Sequence, residues 1–204
     1  MSEPAYTRLN VDERRAQILQ TGTALFAEHS YEEISMREIA EASGISKALL
    51  YHYFPSKTEL FKAAVAEAAA ELQELITPNG TRPAAEQLAA AIDAYLRWIE
   101  AHDRTWTKLM QSAATLPEAR DIVDGFRART MDMLLARLAG KRKPRPALRT
   151  AIAGWLGYMD AAILDWTHHK GIAREQLRDL LTTAFGAALL AAQQIDPKIQ
   201  LRFD

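Results

Sequence analysis

The sequence predicts an all-α protein of about nine helices. Three observations carry this. Small polar caps such as Ser35, Ser46 and Ser56 stand just before runs whose apolar residues recur at helical spacing. No stretch alternates apolar and polar residues as a half-buried strand does. Long alanine- and leucine-rich segments fill the C-terminal third. With 204 residues, 49% of them hydrophobic, the chain is long enough for two modest domains with real cores.

The elements follow in order. A first helix is expected over residues 11 to 29, with Asn10 as cap and Glu13 three residues on. Ser35 and Glu38 form a capping box for a short second helix carrying Met36, Ile39 and Ala40. Gly44 is placed to take positive φ and stop it. Ile45 anchors the turn, and Ser46 caps a third helix from Lys47 to Phe54. Pro55 halts that helix, and Ser56 with Glu59 reads as another capping box.

Two short helices around a glycine turn are the pattern of a helix-turn-helix. At 100° per residue, Leu50 and Phe54 share one face of the third helix, and Ala48 and His52 the opposite one. Leu49 lies beside the outer face, with Lys47, Tyr51 and Tyr53 at its edges. Such a helix suits the DNA major groove: edge donors meet phosphates, while small and apolar side chains meet base edges and thymine methyls. Lys57, at the start of the next helix, is placed for a further phosphate.

Residues 11 to 62 closely resemble the N-terminal domain of the TetR/AcrR family of bacterial regulators. The likeness rests on Ile18, Ala24-Leu25-Phe26, Ser35 to Ala40, Gly44-Ile45-Ser46-Lys47 and Leu50 to Lys57, in order and without gaps. It implies a dimer that reads a palindromic double-stranded DNA operator and is released by a small-molecule effector. It also implies a DNA-binding set of Arg37, Ser46, Lys47, Ala48, Leu49, Tyr51, His52, Tyr53 and Lys57. Ala48 stands where the family often has glycine, and Leu49 where it often has threonine. The side chain at 49 therefore has no hydrogen bond to offer a base.

Composition bounds the alternatives. There are no cysteines, which excludes disulfides, cysteine metal sites and a cysteine nucleophile. Residues 1–10 hold no apolar leader, and no run approaches the ~18 residues of a membrane span, so a cytoplasmic protein with no membrane partner is expected. Net charge is −1, and residues 1–57 hold six Lys or Arg against eight Asp or Glu, a net of −2. The case for DNA therefore rests on where Lys47 and Lys57 lie.

A fourth helix from Thr58 to about Ile76 links residues 1–57, the DNA-binding domain, to residues 58–204, the ligand-binding and dimerisation domain. Thr77-Pro-Asn-Gly80 breaks the chain. Helices are expected from about Pro83 to Ala101, Thr105 to Ala114, Pro117 to Leu138, Ala147 to His169 and Ala173 to Gln194. The basic loop Lys141–Arg145 reads as solvated. The eighth and ninth helices are apolar on several sides, which predicts a homodimer packed through them. Trp98, Trp106, Met110, Met131, Leu134, Trp155, Tyr158, Met159 and Asp160 are the candidates for an apolar effector site. Leu135 and Ile163 accompany them. Asp160 needs a partner if buried: a ligand, a dimer-mate residue or Tyr158.

No enzyme is expected. There is no P-loop, nucleophile elbow or dinucleotide glycine motif. Asp165 and His169 stand at i, i+4, but no further ligands accompany them, so no metal and no cofactor is expected. A helical protein–protein adaptor is the alternative function, and it leaves the residues from Leu49 to Lys57 unexplained.

Overall fold

A computed structural model describes residues 10–77 and 83–201. Residues 1–9 and 78–80, where the leader and most of the chain break were sought, lie outside the described residues. Within the described residues the chain forms nine α-helices and no strand: α1 (Val11–Glu28), α2 (Met36–Ala42), α3 (Lys47–Tyr53), α4 (Lys57–Ile76), α5 (Ala84–Ala101), α6 (Asp103–Thr115), α7 (Pro117–Ala139), α8 (Pro146–His169) and α9 (Arg174–Ile195). The sequence-based bounds agree to within two residues.

Caps set the helix starts. The Asn10 side chain accepts from Glu13 N at 2.8 Å, and the Glu13 carboxylate accepts from Asn10 N at 2.8 Å. Ser35 and Glu38 do the same at 3.2 and 2.7 Å. At α4 only half of the expected box forms. Ser56 Oγ accepts from Glu59 N at 3.1 Å, but the Glu59 carboxylate turns along the helix to Lys62, 3.2 Å away.

Two apolar clusters follow. The N-terminal one joins Ile18, Phe26, Ile39, Leu50 and Phe54 to Leu60, Phe61 and Val65 of α4, and reaches Ala119 of α7. Gly22 marks a close approach of α1 to α4: a Cβ there would stand 3.0 Å from the Leu60 side chain, which would have to shift to admit it. The larger cluster takes the rest of α4 with α5 to α9. Indole donors pin it: Trp155 Nε1 donates to Leu181 O at 3.0 Å and Trp166 Nε1 to Ile172 O at 2.9 Å. Arg174 ties the start of α9 to Asp93 and Glu100 of α5. In the basic loop, Arg145 pairs with Asp196 at 2.6 Å and Arg142 bonds Gln200.

Candidate nucleic-acid interface and effector cavity

The turn between α2 and α3 depends on Gly44, whose φ of +66° is a conformation other residues adopt only under strain. Ser46 Oγ then accepts from Leu49 N at 3.2 Å and starts α3. Leu50 is fully buried, and Phe54 is 2% exposed. The opposite face is open: Lys47, Ala48, Leu49, Tyr51 and His52 are all exposed, and Tyr53 is half-buried. The Lys47 ammonium lies 5.8 Å from the centre of the Tyr51 ring, and His52 packs edge-on to Tyr53 at 5.4 Å. Arg37 is paired on the surface with Glu41 at 2.8 Å. Small, apolar and donor groups thus share one accessible helix face.

Lys57 is placed differently from the sequence-based expectation. Its ammonium donates to Tyr31 O at 2.7 Å and Ile34 O at 2.9 Å, and sits 4.2 Å from the centre of the Tyr31 ring. Loop carbonyls that no helix satisfies draw the charge inward, so here it fastens the loop before α2 to α4. It is not directed outward at a phosphate.

Between α4, α5, α6, α7 and α8 lies an apolar cavity of about 90 Å³. Of the candidates, Trp98, Trp106, Met110, Leu134, Trp155, Met159 and Asp160 line it. Tyr158 does not: it is 42% exposed, because α8 turns Ile152, Trp155, Met159 and Ile163 inward and leaves position 158 about a quarter-turn outside that face. Met131 also does not. It is buried in the core, whereas α7 presents Val123, Phe126, Thr130, Met133 and Leu134 to the cavity. Met133, Tyr95, Phe126 and Arg127 were missed. The helical period of α7, followed from Ile122, would have found Phe126 and Met133.

Asp160 has a partner from within the chain, and it is none of the three expected. Arg127 of α7 donates to Oδ2 through Nε at 2.8 Å and Nη2 at 2.7 Å. Burial lifts the Asp160 carboxyl above its ordinary value, against the Arg127 guanidinium, which lowers it. Burial likewise pushes the Tyr95 phenol up. The Trp106 indole donates to Tyr95 OH at 3.4 Å, while Trp98 Nε1 is buried with no hydrogen-bond partner. Asp165 and His169 meet at 3.1 Å in open solvent, and among the described residues no three potential metal ligands cluster.

Residues 18–64 match the family described as bacterial regulatory proteins, tetR family. Residues 84–188, just over half the chain, match the tetracyclin repressor-like C-terminal domain. The chain belongs to the TetR family. The HTH-type transcriptional activator FasR of Mycolicibacterium smegmatis is 36% identical over 108 residues, 50% of this chain and 48% of FasR. The HTH-type transcriptional repressor AcnR of Corynebacterium diphtheriae is 35% identical over 77 residues, 38% of this chain and 40% of AcnR. The matches thus span about half or less of these curated relatives. A crystal structure of a tetR-family transcriptional regulator from Streptomyces coelicolor superposes with a TM-score of 0.84 at 27% identity, covering 94% of this chain and 86% of that one. These TetR-family relatives are transcriptional regulators rather than enzymes. Among the described residues no helix is long and apolar enough to cross a membrane.

Proposed function

We propose that this chain is a transcriptional repressor that binds a palindromic operator as a homodimer and leaves it when a small, largely apolar effector enters the C-terminal domain. One observation carries the DNA reading. Leu50 and Phe54 bury one face of α3 while Lys47, Ala48, Leu49, Tyr51 and His52 hold the other open. Arg37, Ser46 and Tyr53 complete the surface. Ala48 and Leu49 approach bases, and the donors around them hold phosphates.

An exposed stripe of small and apolar residues on α8 and α9 supports the dimer. Gly154, Gly157, Tyr158, Ala161 and Leu164 follow one another at helical spacing on α8, and Leu180, Thr183, Ala187 and Leu190 on α9. Two-fold symmetry then sets half-sites about one DNA turn, roughly 34 Å, apart. The cavity behind Trp98 and Trp155 supports the effector. Release requires a coupling of ~1–3 kcal/mol, or roughly 5–150-fold in operator affinity.

Purified protein, stripped of ligand by unfolding and refolding, is mixed with fragments of its source genome and the bound DNA is sequenced. Enrichment of one palindrome is expected. Lys47→Ala and Tyr51→Ala should abolish that enrichment without changing the melting temperature. Binding without sequence preference, or retention by both variants, overturns the reading and favours a helical adaptor.

A further inference from the structure

We propose that the effector is an elongated molecule with one anionic end. Its apolar body lies in the cavity beside Trp98, and a carboxylate meets Arg137 in a second, adjoining cavity. This rests on the effector reading above and names the ligand's chemistry.

The second cavity, about 370 Å³, is walled by α5, α7 and α9, with the end of α4 and Leu201. Ile76, Leu88, Ala91, Met133 and Leu134 line both cavities. The two therefore lie side by side between α4, α5 and α7, parted by these five side chains, with α8 walling the first half and α9 the second. Along α5 the lining runs from Ala84 to Trp98, which is about 21 Å at 1.5 Å per residue. An extended alkyl chain advances about 1.3 Å per carbon, given C–C bonds of about 1.5 Å, so roughly sixteen carbons fit that length. Between the halves stand only alanine, leucine, isoleucine and a flexible methionine, whose thioether adapts to what passes it.

Charge gives this space a direction. Arg127 faces the first cavity, and Asp160 neutralises it. Ten residues further on, about 15 Å along α7, Arg137 faces the second. Its Nη2 donates to the buried Gln87 Oε1 at 2.6 Å, a neutral amide that orients the guanidinium without cancelling its charge. Among the described residues no carboxylate comes within ion-pair distance of it. A half-buried guanidinium against an apolar wall favours an anion, and its planar fork suits a carboxylate. An organic cation is repelled at that end, and a neutral chain gains nothing there.

The test is calorimetric titration of the full chain, below micellar concentrations, with dodecanoate, hexadecanoate and their methyl esters. The carboxylates should bind roughly tenfold or more tighter than the esters. Arg137→Gln should remove that preference and leave ester affinity unchanged. Arg137→Lys, which keeps the charge, should retain part of it and guards against a folding defect. Ala91→Phe, at the shared wall, should weaken hexadecanoate more than dodecanoate. Equal affinity for acid and ester, untouched by Arg137→Gln, overturns the proposal and leaves the effector reading intact. Absence of binding by every alkyl probe overturns it as well. The effector reading then stands or falls separately, on whether a small-molecule extract of the source cells releases the protein from its operator.

Discussion

Two hydrogen bonds from one ammonium hold the loop before α2 to the start of α4. Removing the donor while keeping the stem, as in Lys57→Met, leaves Tyr31 O and Ile34 O short of a partner. The expected loss is about 1–3 kcal/mol, read by chemical denaturation. Unchanged stability with weakened DNA binding would return Lys57 to the phosphates. Asp160 gives a second expectation at this scale. Burial raises its carboxyl, so the folded protein holds that proton more tightly than the unfolded chain. Its contribution is greatest below the ordinary carboxylate value of about 3.9 and is lost as pH rises through the higher folded value. Asp160→Asn should remove that downward slope from the stability–pH curve, and an unchanged slope would assign it to other groups.

Among the elements, the turn between α2 and α3 is the most exacting. A Cβ at Gly44 would meet nothing within 4 Å, so the cost of Gly44→Ala is purely one of backbone conformation. About 1 kcal/mol is expected, with α3 correspondingly less well held, measurable as a lower denaturation midpoint. A change below about 0.3 kcal/mol would mean that the turn relaxes to another geometry. This turn also marks what was legible in the sequence. Caps and periodicity are local, so Asn10, Ser35, Gly44 and Ser46 announced their roles without any knowledge of the fold. The reader helix was legible for the same reason: Leu50 and Phe54, one turn apart, define its inner face. Lys57 was not, because the two carbonyls that claim it lie 26 and 23 residues earlier in the chain. Nor was the Arg127–Asp160 pair, which joins positions 33 residues apart on different helices. Tyr158 and Met131 failed on rotation. Each lies on an apolar stretch, and only the neighbouring helices decide which edge of that stretch faces the cavity.

At the scale of the whole molecule, the open stripe on α8 and α9 sets the expectation. Gly157 is exposed, and a Cβ there meets nothing within 4 Å, so a large side chain is tolerated by the isolated subunit. Gly157→Arg should therefore sediment as a folded monomer. Operator affinity should fall by roughly a hundredfold or more as the second half-site ceases to be held at high local concentration. A variant that stays dimeric would move the interface elsewhere. One feature of α4 reaches further. Leu60, Phe61 and Val65 sit in the N-terminal cluster, Leu72 and Ile76 in the other, and Ala119 of α7 crosses into the first. A chimera that exchanges residues 1–57 for the reader of another regulator would inherit a foreign surface beneath Leu60 and Phe61. Interchangeable parts would have to be cut so that the first half of α4 and the start of α7 travel with the reader.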